Sequence, residues 1–170
     1  MRTLMICAAL ALASAAGAQT PVAFTRPDCA AYNASAKPER KCIRETRRLW
    51  QEANFAALQK TGLMFNYMAR PDVKANPEAV KVVENQVEGS FVIRFSVKPD
   101  GTTYDVQTAE VTEGIQPLAK LWTETIRQWT FAKASQPVTG IEYRRIYMYS
   151  KDGDDDDAAH KPPHEKQDED

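Results

Sequence analysis

Residue types that commonly carry catalysis are scarce in this 170-residue chain, and their spacing excludes most of the remaining chemistry. Its 2 histidines, His160 and His164, both lie near the C-terminus, so no imidazole serves a site within residues 20–150. Pro162 and Pro163 stand between them and forbid the helical turn that would converge both on one metal. Read from Asp152 as an EF-hand loop, the acidic run places Asp157 and Pro163 where glycine and glutamate are required, leaving a weak cation sink at most. Asp100 and Asp105 could pair for general acid–base work, but Asp100 suits a turn and Asp105 a solvent face. There is no G-x-S-x-G elbow, no phosphate-cradling glycine loop and no H-E-x-x-H. The sequence thus predicts no enzyme activity, no cofactor and no metal.

Cysteine chemistry depends on the compartment. Arg2, the apolar run Leu4–Ala13 and the small residues ending Ala16-Gly17-Ala18 have the layout of a secretory signal, with cleavage expected after Ala18. The apolar stretch is short for a membrane span, and Cys7 would leave with it. Cys29 and Cys42 then remain. In an oxidising compartment the pair reads as a disulfide. Buried free thiols are the alternative, or half a zinc site, which lacks a nearby histidine.

At the other end, residues 151–170 hold 9 acidic and 3 basic residues with no aliphatic side chain larger than alanine, which predicts a disordered tail. Residues 20–150 carry 18 basic and 14 acidic residues, so the formal net charge of -1 averages a basic body and an acidic tail. The tail could screen the body or simply confer solubility. With 43% hydrophobic and 26% charged residues, the chain has room for one small domain with appendages.

The elements that must position any site can be read between the ends. Residues 20–37 form an irregular arm pinned by Cys29. Pro38 opens a helix running to Thr61-Gly62, with Cys42, Leu49, Ala53, Ala56 and Ile43, Trp50, Ala57 recurring near helical spacing. Arg40, Lys41, Arg44, Arg47 and Arg48 crowd its first half, against the helix dipole. Glu39, Glu45 and Glu52 are spaced to pair with them, which favours a solvated face over a docking patch. The run Leu63–Met68 predicts a buried segment. Asn76-Pro77-Glu78 then predicts a capped helix toward Glu88-Gly89.

The period next changes to two. Phe91, Ile93, Phe95 and Val97 alternate with Val92, Arg94, Ser96 and Lys98, Pro99-Asp100-Gly101 turns the chain, and Tyr104–Val111 returns as a hairpin. An even loop is favoured, or an odd one corrected by a bulge in the second strand. Pro117 opens a helix whose Leu118, Leu121, Trp122, Thr125, Ile126 and Trp129 form one stripe. Pro137 and Gly140 lead to a last strand, Ile141–Tyr149. The fold class is α+β: a small antiparallel sheet in the order hairpin, helix, strand, with one helix packed on it and a helical region before it.

These pieces carry a resemblance. Glu88-Gly89, the alternation through Phe95, the Asp100-Gly101 turn, Asp105-Val106 and the helix ending Trp129-Thr130-Phe131, with Arg70-Pro71 ahead, are similar in order to the C-terminal domain of TonB and its relatives. The resemblance covers residues 70–149 and implies structural roles for Gly89, Phe95, Asp100, Gly101, Trp122, Trp129 and Phe131. It sets the expected divisions: 1–18 a signal, 19–69 the arm and basic helix, 70–150 the TonB-like domain, 151–170 the tail. Ala132-Lys133-Ala134 replaces the family's proline after W-x-F, and Thr103 and Thr108 stand where valine is usual. The uncleaved anchor and proline- and lysine-rich spacer of TonB are not seen.

What the resemblance implies is recognition without energy transduction: a periplasmic module that takes up an extended segment of an envelope or outer-membrane protein beside its last strand. The implied partner-binding residues are Ile141, Tyr143, Arg145, Tyr147 and Tyr149. Nucleic acid is not an expected partner, because the compartment is wrong and the tail is acidic. The other reading is a scaffolding envelope protein working through its basic helix, with the last strand covered by the arm or that helix.

Overall fold

The structure, a computed structural model, describes residues 20–35 and 37–150. The expected signal peptide and acidic tail, including Cys7, His160 and His164, lie outside the described residues. The central strand is β3 (Gly89–Val97), where the two-residue alternation is sharpest. Phe91, Ile93, Phe95 and Val97 are buried on one face, which is why this strand organises the core. β4 (Thr103–Val111) pairs with it antiparallel on one side and β6 (Val138–Tyr147) antiparallel on the other. A two-residue β1 (Thr20–Pro21) adds to β4 in parallel, giving the order β1-β4-β3-β6. The sheet is therefore four-stranded, and the arm contributes its shortest strand.

The α+β class holds, with helices α1 (Pro38–Lys60), α2 (Pro77–Glu84) and α3 (Gln116–Ile126). Asn76 caps α2 by accepting from the Ala79 N–H at 3.0 Å. That helix ends at Glu84, short of the expected Glu88, because Gln86 turns the chain at φ 51°. α3 lays Leu118, Ala119, Trp122 and Ile126 on the sheet. Thr123, which the stripe did not include, is also buried and bonds Thr108 of β4 hydroxyl to hydroxyl at 3.0 Å.

Three further expectations are corrected. The favoured even hairpin loop gives way to the alternative: residues 98–102 separate Val97 from its partner Thr103, an odd loop. Register shifts at Asp105, which sits at φ 49°, so that Val106 returns to the core. Trp129 lies beyond α3 rather than in it, and Thr130–Phe131 forms β5, paired antiparallel with β2 (Phe65–Tyr67). In that segment Met64, Tyr67 and Met68 are 69%, 58% and 50% exposed, whereas Leu63 is buried and Phe65 packs on the core.

The third correction concerns α1. Leu49, Ala53, Ala56 and Ala57 face solvent, and the buried residues are Cys42, Ile43, Asn54 and Leu58. Ile43 packs with Ile146, Met148, Phe24 and Trp50, while Leu58 joins the main core around Phe91 and Trp129. Side chains of β6 alternate between those two clusters, so they occupy opposite faces of the sheet. α1 must therefore pass from one face to the other around the outer edge of β6. Its N-terminal end is fixed by the Cys29–Cys42 disulfide, as the cysteine pair predicts.

Two glycines have visible causes, Gly101 in a turn and Gly89 at the start of β3. A Cβ on Gly101, at φ 89°, would stand 2.0 Å from the Phe131 carbonyl oxygen, to whose residue Gly101 is joined by a 2.8 Å hydrogen bond. A Cβ on Gly89 would meet Ile115 and Thr112 at 2.9 Å. Asp100 accepts from the Thr102 N–H and hydroxyl, which hold its carboxyl below the usual range.

Candidate functional site

The outer edge of β6 is where the sequence places the site. Ser90 directs its backbone to β4, accepting from the Thr112 N–H at 2.9 Å and donating to the Thr112 hydroxyl at 3.1 Å. Alternation along an antiparallel ladder then sends Phe91, Ile93 and Phe95 toward β6, where their partners are Arg145, Tyr143 and Ile141. It follows that Glu142, Arg144 and Ile146 turn their N–H and C=O groups outward. No strand pairs with that edge among the described residues.

A side chain occupies it instead. Asn54 of α1 donates its amide nitrogen to the Arg144 carbonyl at 2.7 Å, and its amide oxygen accepts from the Arg144 N–H at 2.9 Å. One carboxamide thus makes the same pair of bonds that a single residue of an added antiparallel strand would make through its own N–H and C=O. Asn54 is buried, so these bonds are sheltered from water. Further along, Arg47 donates to the Met148 carbonyl, and Arg26 donates to the Tyr149 carbonyl at 2.9 Å. The Tyr149 N–H donates to Glu88 at 2.9 Å, and Arg26 also pairs with Glu39. Between the Asn54 and Arg47 clamps lies a hollow of about 260 Å³ lined by Trp50, Val83 and Ile146.

The five expected partner-binding residues are not equivalent. Ile141 is buried in the core. Tyr143 is wedged between Trp122, at 5.3 Å between ring centroids, and Trp129, at 5.2 Å and nearly perpendicular. Burial pushes its phenol above the ordinary value, against the opposing charge of Arg145. The Tyr147 hydroxyl accepts from the Trp122 indole N–H at 2.8 Å. Arg145 lies over the Trp122 ring at 5.1 Å. Tyr149 follows the strand, within the Arg26–Glu88 network. All but Tyr149 belong to the core-facing parity of β6. The parity next to a visiting strand's backbone is the other one, Glu142, Arg144 and Ile146. There Glu142 receives hydrogen bonds from Arg94 and Arg144, both at 2.9 Å, which hold its carboxyl low.

The basic helix is largely committed within the chain. Arg48 pairs with both Glu45 and Glu52, Arg47 is bound to the Met148 carbonyl just past β6, and Lys41 lies over the Tyr32 ring at 5.9 Å. Asn54 was missed at the sequence level. A lone asparagine in a helix interior is locally unfavourable, and that conflict was the available signal. Among the described residues no group of three His, Cys, Asp or Glu could hold a metal ion, and no helix is long and apolar enough to cross a membrane.

No protein-family model matches the chain, and no curated protein matches it. Among solved structures it is similar to the solution NMR structure of the Pseudomonas aeruginosa TonB C-terminal domain. Identity is 14%, coverage is 54% of this chain and 88% of that one, and the TM-score is 0.38. A superposition this loose assigns no role to any residue.

Proposed function

We propose that this chain is a protein-binding module of the bacterial periplasm that accepts an extended segment of an envelope protein along the outer edge of β6. The observation that carries the reading is the paired hydrogen bonding of Asn54 to Arg144. It marks a site on an edge strand where an amide group fits both the donor and the acceptor. A visiting strand would replace the Asn54 carboxamide with the N–H and C=O of one of its residues and extend the ladder at Glu142 and Ile146. Because an unguarded edge promotes aggregation, α1 serves as the resident cover that a partner displaces. The disulfide supports an oxidising compartment. No catalysis is assigned to the chain. Scaffolding through the basic helix draws less support, since Arg47 and Arg48 already have partners within the fold.

Panning a displayed library of linear peptides against the oxidised protein tests the reading. Enriched peptides should shift the amide NMR signals of Glu142, Arg144 and Ile146, lose binding when alternate peptide amides are N-methylated, and bind Asn54→Ala more tightly. Enriched peptides that leave those amides silent would overturn it.

A further inference from the structure

The core-facing side of β6 opens, below the edge, into a groove of about 490 Å³ between the second half of α1, the segment around Met68–Pro71 and the aromatic surface of α3. Its floor is made of Trp122, Trp129, Tyr143 and Phe65, locked by ring contacts near 5.3 Å. Two large apolar side chains on its rim, Phe55 and Met68, are 59% and 50% exposed. Together they border an apolar slot open to solvent. The charged residues lining the groove are of one sign only: Arg145 stacked on Trp122, and Arg70 at the mouth, with no carboxylate among the lining residues.

From this juxtaposition we infer that the groove binds a partner-protein segment bearing one aromatic side chain flanked by carboxylates. The ring would enter between Phe55 and Met68 onto the Trp122–Tyr143 floor, where offset and edge-on packing is available. The carboxylates would meet the guanidinium groups of Arg145 and Arg70, whose planar forks suit that partner. The acidic segment 151–170 matches the charge but holds no aromatic or large aliphatic residue, so it does not fill the slot. This inference stands on the groove and does not require strand addition at the β6 edge.

The test uses the full mature chain with its disulfide intact and a capped short peptide carrying one phenylalanine between aspartates. Expected are shifts of the Trp122 indole N–H and the Met68 methyl signals, with affinity lowered about tenfold by Arg70→Gln and by Met68→Ala. Because Arg145 also packs on Trp122, the exposed Arg70 and Met68 variants carry the decision. Replacing the peptide's aspartates by lysines, or its phenylalanine by alanine, should abolish the shifts. Equal binding of the lysine peptide overturns the inference, as does silence of both signals at peptide concentrations on the order of millimolar. N-methylation of the peptide backbone separates the two proposals. Retained binding leaves the groove assignment standing and removes strand addition as the route by which this peptide binds. Deleting residues 152–170 should leave affinity within about twofold; a large gain would show that the tail is the groove's occupant and overturn the assignment.

Discussion

Asn54 joins a helix to a strand through a single side chain, and its removal exposes two backbone groups at once. In Asn54→Ala the Arg144 N–H and C=O lose their partners, and the fold is expected to lose about 1–3 kcal/mol, read from the urea midpoint at unchanged slope. Gly101→Ala is expected to cost about 2 kcal/mol or more, because the φ of 89° and the Phe131 carbonyl both oppose a Cβ. Tyr143 predicts a pH dependence. Its phenol is raised above the ordinary value of 10.0 by burial. The folded state therefore holds that proton more tightly than the unfolded chain, and the associated stability is complete below the unfolded pKa and lost as pH rises through the folded one. Urea midpoints should fall on the alkaline side of about pH 10, and Tyr143→Phe should flatten that part of the curve.

Among the elements, those with a strong period were legible and those defined by pairing alone were not. Phe91, Ile93, Phe95 and Val97 recur every second residue in β3 and α3 carries a continuous stripe, so each announced a buried face. β2 and β5 are three and two residues long, too short for any period, and are held where Phe65 packs edge-on against Trp129 and tilted against Phe131. The face of α1 was misjudged because alanines fit either environment, whereas contact with a strand edge selects a line through Ile43, Asn54 and Leu58. The Arg145 and Tyr143 positions were legible, but their orientation toward Trp122 depended on the pairing register of β6 with β3. At this scale the disulfide is testable. Cys42→Ser should cost about 2–4 kcal/mol and raise amide exchange first in the N-terminal turns of α1.

At the scale of the whole molecule, the two sheet edges are managed differently. On the β4 side, two residues of the arm add a short parallel strand. On the β6 side, a helix crosses and holds the border with side chains. Such a border, once bared, can pair with another copy of itself. The double variant Asn54→Ala, Arg47→Ala should therefore self-associate in sedimentation velocity as concentration rises, while each single variant stays closer to the native profile. A monomeric double variant would show that the bulk of α1, rather than its polar clamps, shields the edge.

The crosslink between Cys29 and Cys42 has a consequence for biogenesis. While both thiols are reduced, the start of α1 is tethered to the arm by non-covalent contacts such as Arg26–Glu39 and Lys41–Tyr32, and the helix has more freedom to leave the sheet. Forming the disulfide before α1 docks is then expected to favour a shut border. A chain refolded in reductant is expected to leave the β6 border open longer, so its yield of soluble product should rise with how promptly the sulfurs are joined.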